Sequence, residues 1–352
     1  MAKVASSIAP HHLAMTPPME AKLIAALPDD GVWQFEPKWD GFRAIASRSG
    51  EHVELMSKSG KSLARFFPEI VAALADLKET SFVVDGELIL PVDQILSFEA
   101  LQARLHPAES RIRKLSAETP AQLMLFDCLA LGDQTLIGQT LATRRSAIER
   151  FYAEIEEQEG RRPTFLLSPA TDDIAQATKW LIASGGALDG VIAKSLDEPY
   201  RPGERAMRKV KQRRTADCVV GGFRREKDGS QVASLLLGLY DDAGLLNHVG
   251  FTSAFAREDK EALTARLDSL IAAPGFTGKA PGGPSRWSNG RDSEWLPVKP
   301  ELIVEVGYDQ VTAERFRHGT ALLRWRPDKA PEQCRMEQLH YALRPSQIPE
   351  IS

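Results

Sequence analysis

The run Glu36-Pro37-Lys38-Trp39-Asp40-Gly41-Phe42-Arg43 constrains this chain more than any other stretch. Its Asp-Gly pair stands between two β-prone segments, Gly31 to Glu36 and Arg43 to Ser47, and reads as a turn joining two strands. The turn puts a lysine on one side and an arginine on the other. A lysine that acts as a nucleophile at phosphorus needs that company: backbone that can approach a nucleotide closely, and a fixed cation nearby. Arginine suits the second task, because its guanidinium stays charged and offers a planar fork to phosphate or ribose oxygens.

Further short runs follow in order: Ser57-Lys58-Ser59-Gly60, Val83-Val84-Asp85-Gly86-Glu87-Leu88, Leu125-Phe126-Asp127-Cys128, Asp189-Gly190-Val191-Ile192-Ala193-Lys194, Lys209-Val210-Lys211 and Arg326-Pro327-Asp328-Lys329. Together with the first run they resemble the ordered motifs of the covalent nucleotidyltransferases: ATP-dependent DNA ligases, RNA ligases and mRNA capping enzymes. The resemblance extends from about residue 33 to about residue 330. It is strongest to the small bacterial ATP-dependent DNA ligases, the stand-alone ligase C type and the ligase module of ligase D.

A length of 352 residues gives room for two domains with separate cores. No stretch approaches the roughly 18 apolar residues of a membrane helix. The segment from Met1 to Ala21 is interrupted by Pro10, Pro17 and Pro18 and does not read as a secretory signal. Cys128, Cys218 and Cys334 are too scattered for a disulfide framework or a metal knuckle, and fit a reducing cytoplasm. The net charge of −4 is unevenly spread: between Arg201 and Asp228 ten Lys/Arg face four acids. Such a basic stretch, overlapping Lys209 and Lys211, points to phosphate contacts.

Apolar periodicity predicts strands over 31–36, 43–48, 52–57, 81–90, 122–130 and 189–194, and helices over 66–77, 97–106, 141–158 and 172–184. The polar, basic segment Arg201 to Arg214 reads as a link between domains, with a hinge near Arg213 and Arg214. Beyond it, strands are expected at Cys218 to Phe223, Val232 to Tyr240, Leu245 to Phe251 and Leu302 to Tyr308, with one helix over about Ala256 to Ile271. Five or so strands and a helix fit a small OB-type barrel or an open sandwich, and the resemblance favours the barrel. The expected architecture is α+β: a leader over 1–30, a nucleotidyltransferase (ATP-grasp-like adenylation) domain over 31–213, and a C-terminal OB-fold β-barrel domain over 214–345.

The resemblance implies an ATP-dependent DNA ligase that seals 5′-phosphate/3′-hydroxyl nicks with ATP and Mg²⁺ or Mn²⁺. Lys38 would attack the α-phosphate of ATP to form lysyl-AMP. The AMP would pass to the nick's 5′-phosphate, and the 3′-hydroxyl would then displace it. A lysine of ordinary pKa, about 10.4, holds roughly one neutral amine per thousand at pH 7.4, a penalty of about 4 kcal/mol. Cations such as Lys194, Lys209 and Lys211 would reduce that penalty and screen the triphosphate.

By the same resemblance Glu36 reads the adenine amino edge and Lys58 contacts the ribose, with Arg65 a further candidate, while Arg43 is the fixed cation for phosphate or ribose oxygens. Glu87 takes the ribose and a metal, Asp85 being the alternative carboxylate, and Phe126 stacks on the base. Asp189, where the family usually has glutamate, reaches a metal through water, and Lys194 contacts the α-phosphate or ribose. Lys209 and Lys211, at i, i+2 spacing, point at one phosphate chain, although Arg208 stands where the family has an aromatic or leucine. Arg326 and Lys329 close over ATP and orient pyrophosphate. Expected partners are nicked duplex DNA and, for a repair role, the end-binding protein Ku; the enzyme is expected to be a bacterial, cytoplasmic monomer. The alternatives are an RNA ligase or capping enzyme, and a non-catalytic nucleic-acid-binding module, which would leave Lys38, Glu87, Lys209 and Lys211 without a reason to co-occur.

Overall fold

A computed structural model describes residues 13, 15–92, 95–159, 164–183, 188–211, 214–254, 259–282, 294–309, 311–312 and 314–339. The chain divides into two compact units, Met1–Gln212 with Ala342–Ser352, and Arg213–Tyr341.

The principal strands of the first unit are β1 (Ala21–Leu23), β2 (Trp33–Trp39), β3 (Phe42–Ser49), β4 (His52–Ser57), β5 (Ser81–Ile89), β6 (Gln122–Leu131), β7 (Phe165–Leu167), β8 (Leu188–Ser195) and β9 (Met207–Val210). Its helices are α1 (Pro68–Asp76), α2 (Phe98–Ala103), α3 (Glu109–Glu118), α4 (Leu141–Glu159) and α5 (Ile174–Ala183). They form two sheets of order β1-β9-β8-β2 and β7-β6-β5-β3-β4. The expected strands and helices are present with small shifts of boundary. One shift matters: Lys38 lies inside β2 and not in the turn after it.

Alternation then decides which residues face which way. On β5, Phe82, Val84 and Leu88 enter a core with Ile70 and Leu74 of α1 and Ile148, Phe151 and Ile155 of α4. Pro68 opens α1 at its first turn, where a missing N–H costs nothing, and Ile70 and Leu74 recur four residues apart on its buried stripe. The intervening β5 positions, Val83, Asp85, Glu87 and Ile89, face the other way. Val83 joins Ile45, Leu129 and Met207 in a second cluster that ties the two sheets together. The acids of β5 are thus carried on the face turned toward the other sheet.

In the first unit three stretches differ from the sequence-based reading. Residues 21–23 of the expected leader form β1 and pair in parallel with Met207–Lys209. The basic segment read as a link contains β9, an interior strand of the first sheet between β1 and β8. Its apolar residues, Met207 and Val210, are too few to show a period. α3 was not anticipated, because a helix with Ile112 as its one buried residue carries almost no apolar signal. The proposed hinge residue Arg213 lies outside the described residues.

In the second unit β10 (Arg214–Arg225), β11 (Val232–Tyr240), β12 (Leu246–Ala254), β13 (Ile303–Tyr308) and β14 (Thr320–Trp325) close into a barrel. β10 pairs with β13 through residues 214–219 and with β11 through residues 219–225, and the β12–β14 contact is the parallel one. The closed order β10-β11-β12-β14-β13 is that of an OB fold. Helix α6 (Lys260–Asp268) starts at Asp259, whose side chain accepts from the N–H groups of Glu261 and Ala262.

A buried charge pair joins Asp127 on β6 to Arg144 on α4, at 2.7 and 3.1 Å, with both residues 1% exposed. Arg144 also donates to the carbonyls of Gln139 and Glu198. Replacing Arg144 by methionine leaves a buried, unpaired carboxylate and should cost about 3–5 kcal/mol in urea unfolding. Adding Asp127→Leu should recover most of that loss; a double variant no more stable than Arg144→Met would show that the pair itself is not the source.

Candidate active site

The Asp40-Gly41 turn hands the chain from one sheet to the other. β2 ends in the first sheet, β3 begins in the second, and the two strands do not pair. Gly41 is required here: a Cβ at this position would lie 2.1 Å from the carbonyl oxygen of Leu88. On β2, Phe35 packs beside Trp180 and Trp39 beside Met124, so Glu36 and Lys38 point to the opposite face. That face lines a cleft of about 230 Å³ together with Met19, Glu20, Arg43, Lys58, Glu87, Phe126, Ile192, Lys194, Met207 and Lys209.

Register explains the convergence. Across the first sheet, Glu36 lies opposite Ile192, and Ile192 opposite Lys209. In the second sheet Arg43 lies opposite Glu87. Lys194 Nζ reaches diagonally to Glu36 Oε1 at 2.7 Å, and the same oxygen accepts from the Gln34 amide at 2.7 Å. Lys194 also donates to the Phe126 carbonyl at 3.2 Å. Its ammonium lies 4.7 Å from the centre of the Phe126 ring, and the Arg43 guanidinium 4.5 Å, so this ring neighbours two cations.

Lys38 Nζ is 2.7 Å from Asp189 Oδ2, and Lys211 Nζ is 2.9 Å from the same atom. Asp189 enters through a bulge in β8, where pairing with β2 shifts between Leu188 and Val191. Gly190 makes the bulge possible: its φ is +125°, and a Cβ there would stand 2.1 Å from the Val210 carbonyl oxygen. Lys211 lies just past the end of β9 yet still reaches Asp189, whereas Lys209, inside β9, faces the cleft. Burial first, then Lys38 and Lys211, pull the Lys209 ammonium below its ordinary pKa.

Asp85 is fully buried and takes Arg43 Nε and Nη2, each at 2.5 Å, and the Tyr200 hydroxyl at 2.6 Å. Those bonds occupy the carboxylate that sequence had offered as the alternative to Glu87. Burial pulls the Arg43 guanidinium down, but the facing Asp85 carboxylate outweighs it and the net shift is upward. Burial and then Asp85 hold the Tyr200 hydroxyl well above its ordinary range, so it donates. Glu87 has no salt bridge among the described residues, and burial lifts its carboxyl to about 7 against the opposing pull of Arg43 and Lys38.

The expected residues Glu36, Lys38, Arg43, Lys58, Glu87, Phe126, Lys194 and Lys209 therefore share one cleft, with Asp189 and Lys211 attached through Lys38. Arg65 does not line it; its guanidinium lies over Phe66 and bonds the Pro107 carbonyl. Arg326 and Lys329 belong to the second unit, where both bind Asp217. Sequence reading missed Glu20, which pairs with Lys58 at 3.1 Å, and Tyr200. The signal for Tyr200 was an aromatic in an otherwise polar run; β1, beside Glu20, is too short to show a period.

Two family models match the sequence: the ATP dependent DNA ligase domain over residues 18–211 and the ATP dependent DNA ligase C terminal region over residues 228–329. DNA ligase C2 of Mycolicibacterium smegmatis is 45% identical over an alignment of 338 positions that covers 92% of this chain and 93% of that one. The multifunctional non-homologous end joining protein LigD of Mycobacterium bovis is 29% identical over 86% of this chain and 37% of its own. A solved structure of a Lig E DNA ligase superposes with a TM-score of 0.50 at 18% identity, covering 88% of this chain and 100% of that one, a likeness of fold.

Glu87 makes stability depend on pH. Its carboxyl titrates near 7 in the folded chain against 4.5 when unperturbed, so between those values the folded state keeps a proton that the unfolded state has lost. Stability relative to Glu87→Gln should be greatest below pH 4.5 and fall as pH rises to about 7. For this partly buried residue the fall should be about 2 kcal/mol. Urea unfolding of both proteins across that window checks it; parallel profiles would show that Glu87 titrates normally.

Proposed function

The chain belongs to the ATP-dependent DNA ligase family, and we propose that its catalytic lysine is Lys38, which takes AMP from ATP and delivers it to a DNA nick. The observation that carries this reading is the gathering of Lys38, Glu36, Arg43, Glu87, Lys194 and Lys209 on one cleft. A DNA acceptor is favoured over RNA ligation or capping by the match of the C-terminal region to DNA ligases, and a non-catalytic module by none of these findings.

In the first step the Lys38 amine forms a bond to the α-phosphorus of ATP as the bond to the bridging oxygen breaks and pyrophosphate departs. An ammonium has no lone pair for that attack, so Lys38, whose side chain is 23% exposed, must first lose a proton to solvent. Asp189 prepares the change: it holds Lys38 and Lys211 on one oxygen, and when Lys38 becomes neutral the carboxylate keeps Lys211 as counter-ion. No buried charge is orphaned by deprotonation. Lys209 and Lys194 face the phosphates as fixed cations, so stabilisation of developing charge requires little rearrangement. Both protein bonds to Glu36 fall on Oε1, and its other oxygen takes the exocyclic amine of adenine. Phe126 and Ile192 supply the base with apolar surface.

The donor set fits a divalent cation of the magnesium or manganese kind. Glu87 offers an oxygen ligand not engaged by a salt bridge, and no cluster of three or more His, Cys, Asp or Glu able to enclose a metal exists among the described residues. Such a cation would be held by Glu87, with Asp189 behind Lys38, and would complete its shell from phosphate and water. When bound it supplies charge neutralisation on the phosphate oxygens. Arg326 and Lys329 serve the same first step by orienting pyrophosphate. We take the adenylation domain as residues 31–213 and the OB domain as residues 214–345.

Among the described residues no helix is long and apolar enough to cross a membrane. We assign the enzyme to the bacterial cytoplasm as a monomer acting in repair. The end-joining function named for the LigD relative supports that role and makes Ku a candidate partner.

Incubation with ATP labelled at the α-phosphate should label the protein with AMP through a bond that survives denaturation and is cleaved by acid. Lys38→Ala should abolish the label while leaving the fold intact by circular dichroism. Absence of label in wild-type protein first stripped of bound AMP with pyrophosphate would overturn the assignment. A labelled enzyme should then seal a nicked DNA duplex in a single turnover without added ATP.

A further inference from the structure

In the second unit, one carboxylate holds both cations of the last motif. Asp217 on β10 is 8% exposed. Its oxygens accept from Arg326 Nη1 at 2.8 and 3.0 Å, and Oδ2 also accepts from Lys329 Nζ at 2.5 Å. The barrel register makes this contact. Asp217 lies opposite Glu305 on β13, Glu305 lies opposite Arg324 on β14, and Arg326 follows β14 directly. The peptide of Asp217 is itself fixed: Gln338 accepts from its N–H at 3.0 Å and donates to its carbonyl at 3.2 Å. The remaining side of the Arg326 guanidinium, Nε and Nη2, donates to Asp328.

A single buried carboxylate is satisfied by one bidentate arginine. Here Oδ2 carries a second cation, so two head groups that repel each other are held within reach of one atom. Without that atom the Lys329 side chain, 29% exposed, would move away from Arg326 into water. We propose that Asp217 is a positioning residue for the first step of ligation: it fixes Arg326 and Lys329 as a two-cation grip for the pyrophosphate portion of ATP. This rests on the reading of Arg326 and Lys329 given above. Asp217 acts through them and touches no reacting atom, so its removal should affect loading of AMP and spare the joining of ends already adenylated.

Two reactions separate the possibilities: single-turnover transfer of AMP from labelled ATP to the protein, and sealing of a nick that carries a preformed 5′-adenylate. Asp217→Asn should slow AMP transfer at least tenfold and change sealing of the adenylated nick less than twofold. Asp217→Glu, which restores the charge, should recover most of the transfer rate. Equal losses in both reactions, with no recovery in Asp217→Glu, would mean that Asp217 merely supports the barrel, and would overturn the proposal. Unchanged transfer in Asp217→Asn, with transfer slowed in Arg326→Ala, would also overturn it while leaving the role of Arg326 intact. Unchanged transfer in Arg326→Ala would remove the reading beneath it.

Discussion

Much of the first unit depends on the close passage of the chain at Gly41, where the backbone runs so near the Leu88 carbonyl that no side chain fits. This passage lets consecutive strands enter different sheets within a few residues. Lys38 leaves from one sheet and Arg43 from the other, yet both face the space between them. A hairpin at the same turn would have paired the two strands in one sheet, and no two-walled cleft would form there. The short motif is therefore a statement about topology as much as about chemistry.

The cleft keeps its charges in separate sets. Asp189 serves Lys38 and Lys211, Glu36 serves Lys194, and Asp85 serves Arg43. Each buried charge has a partner before any ligand arrives, which limits the desolvation cost of gathering so many cations in one place. Among the described residues Glu87 and Lys209 line the cleft without a salt bridge. Burial raises the Glu87 carboxyl into the neutral range, so a cation arriving beside it would displace a proton. Of the two, this acid is the one suited to recruit a further cation.

How much of this was legible in sequence depended on distance along the chain. Strand β5 was readable as a short apolar run, and helix α1 because Ile70 and Leu74 recur four residues apart on one face. Lys38, Glu87, Lys194 and Lys209 were readable because each lies in a short run of recognisable order. What escaped notice was formed between distant segments or on elements too short to show a period. β9 hides in a basic stretch because its neighbours on both sides, and not its own composition, make it a strand. The bond from Tyr200 to Asp85 spans 115 positions, and Arg326 meets Asp217 across 109, so no local pattern announces either. Asp85 looked like a possible ligand because sequence shows a carboxylate but not the partners that engage it.

The double pairing of β10 also bears on the order of events as the chain is made. Its first half is completed only by β13 and its second half by β11, and β14 must then seat between β12 and β13. Closing that ring joins residues far apart in sequence, so its loop-closure entropy is paid before most of the reward arrives. On a ribosome synthesising from the N-terminus, the first unit can complete its sheets once β9 has emerged. The barrel must wait until β14 is free of the exit tunnel, with open strand edges exposed in the meantime.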